Sequence, residues 1–336
     1  MPQPYLLARR RRRQLLLSGV GLALGAGAPW AARAQARPKG KPVKILVGFP
    51  PGQATDNVAR ILAERLQRNS GDTFIVENVP GQGGSIALGN LAKAPADGSV
   101  VMLAHMSALC TNPHLYKSVP SDSLKDFEAV GLIGDLPFVL VCNPALPFQN
   151  VQDLLNHARA NPDKLTNASS GNGTVSHLAM EEIKRQTGVK ITHIPYKGSA
   201  AGLTDVMSGN VSIALETAAA VRPLAQAGKL RVLGTGSRTR LVGLPNVPTL
   251  AEQGFANFNA VTWLMVMLPA GVPRALVNNT FAEFSAAARD AEIEQKLITA
   301  GLQPRFNTSP EEAAAYLRAE FKSWGEVVKR SGVTLE

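Results

Sequence analysis

Three glycine-rich loops hold the residues of this chain best suited to chemistry: FPPGQATD (Phe49 to Asp56), NVPGQGGS (Asn78 to Ser85) and NASSGNGTVSH (Asn167 to His177). Glycine lets successive backbone N–H groups turn toward one point. Where such a loop enters a helix, the unpaired first-turn amides and the positive dipole end add to it. The product is an anion site, and the third loop supplements it with the hydroxyls of Ser169, Ser170 and Thr174. One helix terminus contributes only ~0.3–2 kcal/mol to anion binding, whereas micromolar affinity requires roughly 8 kcal/mol. The first and third loops must therefore close on one ligand from opposite sides, with charge-assisted hydrogen bonds and exclusion of water. Taken singly, each loop also fits a plain turn and helix cap, with Thr55 or Asp56, and Thr174, as cap residues.

Other chemistries fit less well. No Gly-Lys-Ser/Thr follows any of the loops, and none has dinucleotide-fingerprint spacing with an acidic partner. Gly83-Gly84-Ser85-Ile86-Ala87 approaches a nucleophile elbow but ends in alanine. There is no HExxH or CxxC, and His105, His114, His157, His177 and His193 show no metal spacing, so neither metal nor cofactor is expected. His105, at a strand end, and His177, one turn into a helix, either touch a ligand or pack as hydrogen-bonded residues. Cys110 and Cys142 exclude a disulfide scaffold, and their separation leaves open whether they pair.

The elements that must position these loops alternate. Strands are read at Lys44 to Phe49, Thr73 to Val79 and Ser99 to His105, separated by helices with Val58, Ile61, Leu62 and Leu66 on one face and then over Gly84 to Ala94. This βαβαβ order implies a parallel sheet with right-handed crossovers. Glu128 to Pro144 reads as two successive strands. Alternation then restarts, with strands ending near Ser169 and over Lys190 to Tyr196, Val211 to Glu216 and Leu230 to Gly236. A long apolar strand, Phe258 to Leu268, precedes a helical C-terminal region. The expected fold is α/β with two lobes, the second inserted in the first and the ligand cleft between them. Lobe 1 spans residues 37–137 and 264–336, and lobe 2 spans 138–263, with crossings near 136–142 and 258–266.

The formal charge of +10 invites a nucleic-acid reading until it is located. Residues 1–36 hold six of the 35 basic residues and no acidic one, so the remainder carries 29 against 25, a net of +4. Five arginines (Arg9 to Arg13), a short apolar run (Leu15 to Ala28) and Ala-x-Ala sites at Ala32 to Ala36 read as an export signal. Arg12-Arg13 followed by Gln14-Leu15-Leu16 fits both the twin-arginine form and an ordinary Sec n-region. The expectation is a periplasmic protein without a membrane anchor, and no mature basic cluster is interleaved with aromatics for nucleic acid.

With these residues in place, the sequence resembles the Bug family, the TctC-like extracytoplasmic solute receptors of tripartite tricarboxylate transporters. The motifs that carry the resemblance are FPPGQATDNVAR, ENVPGQGG, KAPADGSVVML, NPHLYK, ASSGNGTVSHLAMEE, HIPYKGSAAGLTDVMSGNVSIAL, AGKLRVLGTGSRTR, LPNVPTLAEQGF and LPAGVP, in the family's order along the whole mature chain. The resemblance implies a periplasmic-binding-protein fold (type II) closing on a small carboxylate, no catalysis, and delivery by a monomer to membrane permease subunits. It carries ligand contacts onto Phe49, Gly52, Thr55 and Asp56 in the first loop and onto Ser169, Ser170, Gly171 and Thr174 in the third. Side-wall positions are Ser107, Tyr196, Lys197 and Glu216. Gln53 stands where the family usually has glycine, and Ala214 where an acidic residue is common. Two opposed anion sites favour a dicarboxylate, aliphatic or aromatic. A secreted serine hydrolase using Ser85 or a third-loop serine, and a ligand-sensing partner of a two-component system, are the alternatives.

Overall fold

The computed structural model describes residues 37–38, 40–256 and 258–333; the export signal expected over 1–36 lies outside them. The chain starts with β1 (Val43–Val47), whose β-branched and aliphatic residues are buried at four of five positions. Helix α1 (Ala54–Ser70) buries Val58, Ala59, Leu62, Ala63 and Leu66 along one face and stops at Gly71, whose left-handed backbone sends its N–H to the Gln67 carbonyl. β2 (Phe74–Asn78), α2 (Ser85–Ala92) and β3 (Val100–His105) complete the first alternation. A π-helical turn (Ser107–Thr111) and the short α3 (Asn112–Leu115) lead on to β4 (Phe127–Cys142).

The two strands read between Glu128 and Pro144 are one 16-residue strand, β4. Pro137 suggests a break in sequence, but the chain runs straight through it while its partners change. Up to Pro137, β4 pairs antiparallel with β9 (Val261–Pro269) and, at Gly134 and Asp135, with β10 (Gln303–Pro304). From Phe138 it pairs antiparallel with β7 (Ile213–Thr217) and, from Val139, with β8 (Arg231–Thr235). Helices α4 (Val151–Ala160), α5 (Val175–Thr187), α6 (Ser199–Ser208) and α7 (Ala218–Gln226) are threaded among β5 (Thr166–Ser169), β6 (Thr192–Pro195), β7 and β8. After β9 come α8 (Arg274–Ala288), α9 (Ala291–Thr299), β10 and α10 (Pro310–Ser331).

The sheet order is β2-β1-β3-β9-β4-β7-β5-β6, with β8 and β10 also on β4. β1 pairs parallel with β2 and β3, and β5 pairs parallel with β6 and β7, as the alternation requires. Two half-sheets thus share β4, which is buried along nearly its whole length like a strand covered on both faces. One core fills the first half around Ile45, Leu62, Leu103 and Leu264. Another runs through both halves from Leu88 and Met102 to Phe138, Leu154 and Leu215. Cys110 and Cys142 are buried free thiols. No helix among the described residues is long and apolar enough to cross a membrane.

Candidate functional site

The parallel strands of both half-sheets end toward one small cavity of about 20 Å³, lined by Phe49, Gln53, Thr55, His105, Ser170, Ser199, Glu216 and Thr217 among others. Three helices begin at its wall. α1 contributes Ala54 and Thr55 in its first turn, α6 contributes Ser199, and Thr217 is the residue preceding α7. None of these three helices receives a side-chain cap hydrogen bond at its N-terminus. Their first amides and dipole ends are therefore aimed at the cavity and available to an anion. The Thr217 hydroxyl is buried there without a hydrogen-bond partner, in a residue only 7% exposed. Native structures rarely leave such a group idle, which makes it a candidate ligand contact.

The first loop is braced from behind. Asp56, 1% exposed, accepts from the Gly52 N–H at 2.8 Å, the Asn78 amide at 2.9 Å and the Arg60 guanidinium. Burial alone would raise its pKa; the hydrogen bonds from Arg60, Gly52 and Asn78 hold it below the usual value instead. Asn78 also donates to the Phe49 carbonyl at 2.9 Å, tying the end of β2 to the loop. Gly48 lets the second loop approach, because a Cβ there would lie 2.5 Å from the Gly84 Cα. Gln53 reaches across to the other half, where its amide packs on Gly198; a Cβ at Gly198 would fall 1.9 Å from Gln53 Nε2.

His105 is held neutral in the cavity wall. Its Nδ1 accepts from the Ser107 N–H at 3.1 Å, which puts the proton on Nε2 as a donor, and burial pushes its pKa down to about 3. Phe49 stacks at a tilt on the imidazole, 4.9 Å between ring centres. Opposite, the last-but-one residue of β7 is Glu216, whose Oε1 accepts from Ser176 Oγ at 3.1 Å and Oε2 from Ser199 Oγ at 2.8 Å. A carboxylate-accepting site thus contains a carboxylic acid of its own.

Of the twelve positions expected at the ligand, Phe49, Thr55, Ser170 and Glu216 line the cavity. Gly52 and Asp56 form the brace behind it. Ser107 supplies its N–H to His105, while its buried hydroxyl has no partner. The third loop turns most of its polar groups inward. Gly173 N–H goes to His177 Nδ1, Ser170 N–H to Ser176 Oγ, and Thr174 Oγ to the Gly171 carbonyl at 2.7 Å. Tyr196 donates to Asp205, and Lys197 is exposed. Ser199, Thr217 and the α6 and α7 starts were not singled out, because neither helix is announced by a glycine-rich loop; the Ser and Thr immediately before apolar helical runs were the available signal.

A serine–histidine pair does exist in the third loop. Ser169 Oγ lies 2.6 Å from His193 Nε2, and His193 stacks on His177 with ring centres 3.9 Å apart. Ser169 is 1% exposed and does not line the cavity, so its oxygen has no approach for a substrate. Ser85 is also buried and receives Asn112 Nδ2 rather than a histidine. A larger groove of about 700 Å³ opens between α5 and α10. It is lined by helix flanks, strand and loop residues instead of helix starts, and several of its charges are engaged. Arg305 is held bidentate by Asp135, and Glu320 accepts from the indoles of Trp263 and Trp324. The small cavity, where unpaired donors converge, is the candidate site.

A family model described as tripartite tricarboxylate transporter family receptor matches residues 58–333. Protein BugT of Bordetella pertussis is 33% identical over 297 residues, 88% of this chain and 91% of the relative. Among solved structures, an R. palustris protein with adipate aligns at a TM-score of 0.84 and 32% identity, over 88% of this chain and 99% of that one. The periplasmic binding protein BugD aligns at 0.82 and 30% identity, over 88% of this chain and 99% of its own. The α/β architecture is that of periplasmic solute-binding proteins.

Proposed function

This chain belongs to the tripartite tricarboxylate transporter receptor family, a family of solute-binding receptors, and from that premise we propose that it captures a small carboxylate between its half-sheets. The ligand is then presented, in the periplasm, to the membrane permease subunits of such a transporter, with the receptor acting as a monomer without catalysis. The observation that carries this reading is the convergence of the α1, α6 and α7 starts on one cavity that also holds the partnerless Thr217 hydroxyl. Three termini at ~0.3–2 kcal/mol each approach what micromolar binding needs only when direct hydrogen bonds and the dry surroundings are added.

The ligand class is a dicarboxylic acid, aliphatic or aromatic, which the adipate-bound relative supports. A cavity of about 20 Å³ has room for roughly one water, so the half-sheets must part to admit any such ligand. β4 leaves β9 for β7 and β8 at Pro137–Phe138, and those residues are the natural hinge, with lobes at 37–137 plus 264–336 and 138–263. The decisive experiment is thermal-shift screening of the mature protein against aliphatic and aromatic mono- and dicarboxylates. Stabilisation by at least one carboxylate is expected; silence from all of them, with stabilisation by sugars or cations, would overturn the reading.

A further inference from the structure

The wall of the cavity opposite α1 holds an acid where the second carboxylate of a dianion would have to sit. Glu216 is 2% exposed and lines the cavity together with Ser170, Ser199 and Thr217. Ser199 of α6 donates to one of its oxygens. Ser176 of α5 lies 3.1 Å from the other, with its single proton shared with the Leu215 carbonyl at 2.6 Å. The carboxyl oxygens thus keep acceptor capacity for a further donor. The β4 residues beside it, Phe138 and its register partner Val139, are apolar. The one titratable group facing it across the cavity is the neutral His105. Among the described residues no lysine, arginine or histidine forms an ion pair with Glu216. Two carboxylates sharing so dry a pocket without a countercharge cannot both stay ionised.

Resting on the carboxylate-receptor reading, we propose that this receptor takes its ligand as a monoanion, with one ionised carboxylate on the α1 start and a hydrogen-bond donor turned to Glu216. That donor is a carboxylic acid proton, an amide or a hydroxyl. When the ligand is a diacid, it and Glu216 share a single proton between their facing carboxyl groups, held on either partner. Burial pushes the Glu216 acid up to about 7, with the hydroxyls of Ser199, Ser176 and Ser170 acting in the opposite sense, so this proton is exchanged near neutrality. The α6 and α7 starts steady the shared negative charge.

Matched probes separate the possibilities: adipate and its half-amide, and succinate and its half-amide, titrated calorimetrically against the mature wild-type protein and Glu216→Gln between pH 6 and 8.5. Wild type is expected to lose diacid affinity about tenfold per pH unit above 7 and to bind the better half-amide at least tenfold tighter than its diacid at pH 8.5. In Glu216→Gln the pH dependence should vanish, because the Gln amide donates to the second carboxylate, and the diacid should become the preferred partner. Diacid binding that is flat with pH in the wild type and equal to that of the half-amide would overturn the inference, whether or not the variant folds. If no carboxylate binds in either form, the receptor reading falls and takes this inference with it.

Discussion

At the scale of single residues, Thr217 separates binding from stability. Its hydroxyl is buried and idle, and such a group costs ~1–3 kcal/mol of desolvation that nothing in the chain repays. Thr217→Val should leave the apo melting temperature unchanged or raise it, while weakening carboxylate binding about tenfold by calorimetry. Asp56 behaves oppositely. The family resemblance places it at the ligand, but its carboxylate is spent on Gly52, Asn78 and Arg60. Asp56→Ala should therefore lower apo stability by about 2 kcal/mol, read as a denaturation midpoint, and affect binding only through the loosened loop. Unchanged apo stability would return Asp56 to the ligand. Thr174, likewise expected at the ligand, closes the third loop on itself through the Gly171 carbonyl. Residue type revealed that these loops hold polar groups; it did not reveal whether the groups face inward or outward, which is decided by tertiary packing.

Ionisation at the same scale has a definite sign. Burial holds His105 down to about 3, and His177 and His193 down to about 4, all from 6.5. The unfolded chain takes up these protons near pH 6.5 and the native one refuses them, so stability is full above about 6.5 and falls as pH drops from there toward 4. Glu216 runs the other way. Its raised pKa keeps the native acid protonated up to about 7 against 4.5 unfolded, so its burial penalises the fold progressively as pH rises from 4.5 to 7. Between 4.5 and 6.5 the histidines outnumber it. The melting temperature should fall on acidification through that window, and Glu216→Gln should make the fall steeper by removing the one opposing group. A shallower fall in the variant would contradict the assignment of the Glu216 proton.

At the scale of elements, the sequence pattern located most strands and helices, since α1 buries one helical face while β1 and β3 are short apolar runs buried almost throughout, as parallel strands covered on both faces are. β4 was legible as strand but not as a single strand. Pro137 lacks an N–H and ordinarily signals an edge or an end; here it stands at the point where β4 leaves one set of partners for another. The starts of α6 and α7 were hidden because a single glycine or threonine ahead of a helix, here Gly198 and Thr217, looks like any other helix entry. The α6 start also explains Gly198. Its φ of 114° and the Gln53 amide beside it exclude a side chain. Gly198→Ala should displace the Gln53 amide and weaken binding about tenfold. Gln53→Gly in the same chain should recover the part due to the clash, leaving ~1–3 kcal/mol for the strained backbone. Calorimetry on the two single variants and the double variant gives that coupling directly, and strict additivity would show that the two residues do not meet during binding.

At the scale of the whole molecule, the half-sheets are joined covalently, by pairing at β4 and β9, and by apolar packing such as Leu178 of α5 against Leu115 and Val328. Near the site they also meet through polar contacts. Thr111 Oγ donates to the Gly173 carbonyl at 2.7 Å, and Gly83 packs near the Thr174 methyl. One such hydrogen bond contributes about 0.5–1.5 kcal/mol net, a modest addition to the apolar packing that must also give way when the halves part. The cavity of about 20 Å³ nonetheless requires that parting before a ligand enters. Association should then be gated: in stopped-flow mixing with a bound carboxylate, the observed rate should rise with concentration and level off at the opening rate, on the microsecond-to-millisecond scale of hinge motions. Thr111→Val removes the cross-link and should raise that plateau severalfold. It should also speed dissociation, because the same bond holds the loaded form shut. A rate that stays linear with concentration, unaffected by Thr111→Val, would place the binding-competent arrangement already open in solution and move the control of affinity from closure to the cavity wall itself.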